Sequence, residues 1–363
     1  MIVGIKRALR FARAWEGGPK GIIEEESEIQ RGDRTVPVTL VRPSPAPGPR
    51  PAWVVLHGVT RPGRHHPVLI RFQRALAGTG AVVLVPEIPE WRELYLAPDE
   101  ATATTRASVS YLEDLGLASH GKIGIMGFSL GVPQVLLSAT DPALQGRVAG
   151  VAGFGGYGDL DRAIHFLFQG EHEWEGRKHS LEPDPYGRWI VGGNYLTLVP
   201  GYEDAHDVAG SLLRLAKRAG DLQVGAWDPR YDELKEALLA EIHPNRQELF
   251  RAFAPPSGSP PPLDVSRELV PALAQAARTA VPHSEPLTFL DRISVPVRLV
   301  HGRGDRLIPF SESLRLAEAF PKNADVRAHL TGLFSHSNED EGAVGIEERL
   351  HFLRILADLL SMV

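Results

Sequence analysis

Lys122-Ile123-Gly124-Ile125-Met126 runs straight into Gly127-Phe128-Ser129-Leu130-Gly131, after which residues 131–139 continue with helical spacing. A short apolar run closed by glycine reads as a buried strand, and the periodic stretch behind it as a helix. Ser129 therefore stands where a strand hands the chain to a helix. A serine hydroxyl is a weak nucleophile unless it is exposed, held in place and deprotonated by a base. A tight strand-to-helix turn supplies the exposure, and its strained backbone asks for small neighbours, here glycines two before and two after. The helix that starts there turns its positive end toward the serine. Gly-x-Ser-x-Gly alone recurs by chance; the strand before it and the helix after it make Ser129 a candidate nucleophile.

Outward from that turn the same alternation repeats. Residues 21–31 and 35–42 read as two strands joined at Gly32-Asp33, a hairpin signal. Strands follow at 52–56, 81–85 and 148–154, with helices at 66–77 and 98–115 between them. Alternation through crossovers implies a mostly parallel sheet with helices on both faces, an α/β fold. From 159 to 286 it stops. Helical patterns dominate there, clearest at 209–219, 232–242, 245–253 and 266–279, with a stiff proline-rich connector at 254–262. It resumes with strands at 295–301 and 325–330 and helices at 311–320 and 347–360. The layout predicts a core of residues 21–158 and 287–363, carrying a helical cap inserted at 159–286 in the second half of the sheet.

The 363 residues are 43% hydrophobic and 23% charged, which excludes disordered, collagen-like and coiled-coil readings. There is no cysteine, so disulfides, thiolate metal sites and cysteine nucleophiles are excluded. With 39 basic against 45 acidic residues, the net charge of −6 argues against nucleic acid as a partner. No apolar run approaches the roughly 18 residues of a membrane span. Residues 1–20 lack the apolar block and cleavage site of a signal peptide, so a cytoplasmic protein is expected. Ile2, Ile5 and Leu9 share one helical face in that segment. The expectation is a helix docked on its own domain or on a second copy of the chain, with a membrane surface as the lesser alternative.

At this point the chain resembles the α/β-hydrolase family, whose triad runs Ser, then Asp or Glu, then His. The stretch from Val297 through His301-Gly302-Arg303-Gly304-Asp305 to Pro309 matches the family's late strand and acid loop, which implies Asp305 as the acid. Such a carboxylate orients the imidazole and stabilises the imidazolium. The base implied is His336, in the loop after the last strand; His329, inside that strand, could not easily reach a loop serine. The oxyanion donors implied are the amides of Leu130 and of Val59, in Leu56-His57-Gly58-Val59-Thr60. One glycine here, rather than the three of some lipases, disfavours the subgroup accepting bulky tertiary alcohol esters. His57 is expected to support this loop and, with Phe128 and Tyr157, to belong to the binding site.

Weaker signals accompany these. Residues 171–179 crowd carboxylates around His172 and His179, but two histidines seven apart on a helix are too distant to bind one ion easily, so no metal is expected. His65-His66 is expected to be solvated or to line the pocket mouth. Trp189, Tyr195, Tyr202 and Trp227 fit an apolar pocket or the cap's own core equally well. The resemblance implies a cofactor-free serine hydrolase acting on small to medium carboxylic esters. Thioesterase, lipase, peptidase or amidase and carbon–carbon hydrolase activities on the same triad are the alternatives, with a non-turnover ligand-binding protein outside enzymes.

Overall fold

The computed structural model describes residues 2–45, 48–333 and 345–363. Its first part comprises α1 (Ile2–Gly17), β1 (Ile22–Arg31), β2 (Arg34–Pro43), β3 (Arg50–Leu56), α2 (Pro67–Ala77) and β4 (Val82–Pro86). Then come α3 (Pro89–Arg92), α4 (Pro98–Asp114), β5 (Ala118–Phe128), α5 (Gly131–Ser138) and β6 (Val148–Phe154). Eight strands form one sheet in the order β1-β2-β4-β3-β5-β6, then β9 (Val297–Gly302) and β10 (Val326–Thr331). β1 and β2 pair antiparallel across the turn at Gly32-Asp33, and β2 is antiparallel to β4; every other pairing is parallel. β4 and β9 are buried along their whole length, as strands covered on both faces must be.

One face is covered by α1, α2 and α13 (Ile346–Leu359), whose Phe11, Phe72, Leu356 and Leu359 share a core with Trp53, Val83 and Phe154. The other face carries α4, α5 and α12 (Phe310–Glu318), with Val109, Val132, Leu136 and Leu316 over Val54, Ile125 and Leu299. Right-handed crossovers between parallel strands place helices on both sides in this way.

Between β6 and β9 the chain forms α6 (Leu160–Gln169), a hairpin of β7 (Glu171–Trp174) and β8 (Arg177–Ser180), and α7 (Pro185–Tyr195). α8 (His206–Leu222), α9 (Asp232–Glu241), α10 (Gln247–Phe253) and α11 (Leu263–Ala280) follow. These helices share a core that also takes in Leu94, Tyr157 and Ile308 from loops of the sheet. The segment therefore packs over the carboxyl ends of the parallel strands, the edge at which open α/β sheets bind ligands. The hairpin is a departure from the all-helical expectation. Its strands are short and mostly charged, so no apolar alternation marks them; Glu175 and Gly176, with φ of 49° and 73°, make its turn.

α1 is helical and docked, as its pattern predicts, but on a different face. Gly4, Ala8, Phe11 and Ala14 are the buried residues, while Ile2, Ile5 and Leu9 are exposed. The reason is close approach. A Cβ on Gly4 would lie 2.2 Å from the Ala357 carbonyl oxygen, so α1 meets α13 backbone to backbone through small residues. Among the described residues, no helix is long and apolar enough to cross a membrane.

Candidate active site

Ser129 sits at the tip of the turn between β5 and α5 with a φ of 54°, in the left-handed region that costs a non-glycine residue of order 1 kcal/mol or more. Two hydrogen bonds hold it there. Its N–H donates to the Phe154 carbonyl of β6 at 2.8 Å, and its carbonyl accepts the Val132 N–H at 2.9 Å. The turn closes so tightly that a Cβ on Gly127 would stand 2.2 Å from the Gly131 carbonyl oxygen. Strand, turn and helix are thus one unit that presents the serine at the N-terminus of α5.

The loop after β3 lies directly beside it. A Cβ built on Gly58 would be 3.5 Å from both the Ser129 Cβ and the Phe128 carbonyl oxygen. Among the described residues, neither the Val59 N–H nor the Leu130 N–H donates to a protein acceptor. His57, fully buried below this loop, places Nδ1 2.7 Å from the Gly58 carbonyl oxygen. Its Nε2 accepts the Ile88 N–H at 3.0 Å and stands 2.9 Å from Glu87 Oε1. Trp91 meets the ring edge-on, with centroids 5.6 Å apart. Burial alone would raise the Glu87 pKa. The neighbouring His57 ring, followed by Arg92 and Arg64, more than offsets it, and the carboxyl lies below its usual range.

Asp305 follows β9 and is buried. Its Oδ1 accepts the N–H groups of Leu307 at 2.9 Å and Ile308 at 3.0 Å, which fixes the carboxyl plane. Its Oδ2 is 3.3 Å from His301 Nε2, and that nitrogen also donates to the Ile308 carbonyl at 2.9 Å. His301 Nδ1 pairs with Ser313 Oγ at 2.7 Å. His336 lies outside the described residues. His329, on β10, pairs with Asp358 at 3.0 Å, an arrangement that occupies it well away from the turn.

The other expected binding residues have structural partners. The Phe128 ring stacks on Phe154 with centroids 5.0 Å apart and meets Phe72 edge-on at 5.3 Å. It belongs to the core beneath the turn, because consecutive strand residues point to opposite faces. Tyr157 is buried, donates its hydroxyl to the Ser284 carbonyl at 2.9 Å, and joins the helical segment's core. Trp189 is fully buried and donates to the Phe253 carbonyl at 3.1 Å, so it too is core. His66 is half-buried, and burial, followed by the charge of His57, holds its pKa below the usual histidine range.

His172 and His179 are not two turns apart on a helix. They are directly opposed across the β7–β8 hairpin, with rings stacked 4.9 Å apart. Burial, then the neighbouring charges of His179, His301 and Arg315, lowers the His172 pKa to about 4. Among the described residues, no three histidine or carboxylate side chains are grouped to hold a metal ion.

Sequence reasoning missed Glu87, Ile88 and Trp91, and it took His301 only as part of a motif. The Glu87-to-Trp91 stretch reaches His57 from thirty residues away, a distance with no periodic signature. His301 had a signal, since it repeats the His-Gly of residues 57–58 at the end of another buried strand.

No family model matches the chain, and no curated protein matches it. Solved structures do. An acylaminoacyl peptidase in complex with Z-Gly-Gly-Phe-chloromethyl ketone superposes with a TM-score of 0.51 at 11% identity, covering 94% of this chain and 41% of that one. The uncomplexed enzyme of Pyrococcus horikoshii gives 0.50 at 11% identity, over 94% of this chain and 41% of its own. A 2,6-dihydroxy-pseudo-oxynicotine hydrolase gives 0.49 at 19% identity, over 93% of this chain and 68% of its own. At such identities the likeness is one of chain course.

Proposed function

We propose that this chain, which has the α/β-hydrolase fold, is a serine hydrolase that cleaves small to medium carboxylic esters through an acyl-enzyme. The observation that carries the reading is the left-handed Ser129 at the head of α5, beside two N–H groups that no acceptor among the described residues uses. Ser129 attacks the ester carbonyl and gives its proton to His336. Asp305, its carboxyl plane fixed by Leu307 and Ile308, orients that histidine and stabilises the imidazolium. The Val59 and Leu130 amides receive the oxyanion, each such donor typically being worth about 100- to 1000-fold in rate. His336 returns the proton to the leaving alcohol, and water releases the acyl group by the same route. No step calls for a cofactor.

The helical segment is anchored on both loops of the site, which favours substrates of limited size. Its Asp184 N–H donates to the Arg306 carbonyl at 2.7 Å, and its Asp221 pairs with Arg61 at 2.9 Å. The test is hydrolysis of p-nitrophenyl esters from acetate to palmitate, with wild type beside Ser129→Ala. Turnover that peaks at short chains and vanishes in the variant is the expected result. A long-chain optimum would replace esterase by lipase. Turnover that survives in Ser129→Ala, or none with any ester, would remove the reading.

A further inference from the structure

Gly58 poses a problem for the site. Glycine leaves the backbone on either side of it nearly unrestrained, and the contacts a Cβ would make there, at 3.5 Å, are ordinary ones, so crowding does not restrain the loop either. The peptide joining Gly58 to Val59 is trans, and in a trans peptide the carbonyl and the following N–H point in opposite directions. Rotating this one peptide would exchange a donor for a carbonyl oxygen. An oxygen facing a developing oxyanion would oppose the reaction instead of assisting it.

His57 is placed to prevent that rotation. The Ile88 backbone N–H can only donate, so the Nε2 it meets at 3.0 Å is an acceptor in the neutral ring. The ring hydrogen is thereby assigned to Nδ1, which faces the Gly58 carbonyl at 2.7 Å. The Gly58 carbonyl can only accept, so the bond between the two is one that Nδ1 donates. The edge-on contact with Trp91 and full burial pack the ring in place.

We propose that His57 is a positioning residue: its Nδ1–H holds the Gly58 carbonyl away from Ser129 and so turns the Val59 N–H toward the oxyanion. This rests on the serine-hydrolase reading and assigns His57 a role inside it. His57 touches no reacting atom. Its effect is on the transition state, so it lowers the barrier without changing how tightly the ester binds.

Asparagine and glutamine separate this role from simple support. An asparagine amide can place an N–H where Nδ1 lies, keeping the bond to Gly58. A glutamine amide reaches the Nε2 position, satisfies Ile88 and leaves Gly58 unheld. The experiment compares kcat, KM and the inhibition constant of a trifluoromethyl ketone, which forms a tetrahedral oxyanion on the serine, for wild type, His57→Asn and His57→Gln. His57→Gln is expected to lose about 10- to 1000-fold in kcat, with KM within a few-fold and ketone affinity falling in proportion. His57→Asn is expected to remain within about tenfold of wild type. Both variants keep a polar group under the loop, and circular dichroism establishes that each is folded. Equal rates in the two folded variants, a faster Gln variant, or a loss carried by KM alone overturns the role of His57 and leaves the hydrolase reading intact. Wild type without serine-dependent turnover overturns both.

Discussion

Replacing Gly127 by alanine puts a methyl carbon 2.2 Å from the Gly131 carbonyl oxygen, 2.4 Å from its carbonyl carbon and 2.9 Å from the Val132 nitrogen. All three are backbone atoms of the first turn of α5, so no side chain can swing aside. Relief requires the strand and the helix to part by roughly 1 Å, and overpacking of this kind costs about 1–3 kcal/mol. The same movement displaces Ser129 from the Gly58 loop beside it, and under the proposed hydrolase reading a misplacement of about 1 Å costs about 100-fold in rate. Gly131→Ala is the internal control. Its Cβ would meet the His57 carbonyl oxygen at 3.4 Å, the Leu56 carbonyl oxygen at 3.5 Å and the Leu56 Cβ at 3.7 Å, which are ordinary contacts. Gly131 begins α5 with a negative φ, so alanine there is compatible and is expected to be neutral or to stabilise by about 0.4–1 kcal/mol. Urea unfolding gives the stability change, and p-nitrophenyl acetate hydrolysis gives the rate. The expected result is an unstable, slow Gly127→Ala beside a stable Gly131→Ala within a few-fold of wild type. Equal effects at the two glycines, or a Gly127→Ala with wild-type stability and rate, would refute the closed turn.

Two further outcomes can be measured on the same preparations. Asp305→Asn should lose about 10,000-fold in kcat through the wrong histidine tautomer, yet stay within about 1 kcal/mol of wild-type stability, because the amide oxygen still accepts from Leu307 and Ile308. A stable, fully active variant would show that Asp305 is a turn residue only. His172 is neutral in the fold down to about pH 4 but takes a proton in the unfolded chain near pH 6.5, so its contribution is present above that range and is lost as pH falls through it. Allowing for solvent around a half-buried ring, wild type should lose about 1–2 kcal/mol more than His172→Gln between neutral pH and pH 4; identical urea midpoints for the two at both pH values would contradict this.

The inner strands of the sheet were legible because each is a buried apolar run bounded by turn residues, the largely unburied β1 because a hairpin turn at Gly32-Asp33 joins it to β2, and the turn at Ser129 because its glycines interrupt such a run. What escaped was set by packing. The face of α1 was misjudged because periodicity weighs large side chains, and Ile2, Ile5 and Leu9 outweigh Gly4 and Ala8. Against α13 the small residues win, since only they let the two backbones approach. β7 and β8 escaped for the opposite reason. Glu171-His172-Glu173-Trp174 and Arg177-Lys178-His179-Ser180 have almost nothing apolar to alternate, and the pair is held by cross-strand bonds and the stacked histidines.

The site divides along the same line. Ser129 and Asp305 stand where apolar runs end, so the runs point to them. The groups that hold them carry no such mark, since they are backbone N–H and carbonyl groups: Phe154 and Val132 for Ser129, Leu307 and Ile308 for Asp305. Yet the two supports share one device. A buried histidine followed by glycine stands at the end of both β3 and β9, just past Leu56 in one and as the last two residues in the other, and each histidine bonds a carbonyl of the loop that follows: His57 to Gly58 at 2.7 Å, His301 to Ile308 at 2.9 Å. A parallel strand that stops at the carboxyl edge of the sheet must release its chain into a loop with no ladder to hold it. A histidine buried where the strand gives way to the loop offers one N–H to that loop while its other nitrogen stays anchored, on Ile88 in one case and Ser313 in the other. On this argument the His-Gly pairs are the places where the order of the sheet passes into the loops that carry Val59 and Asp305.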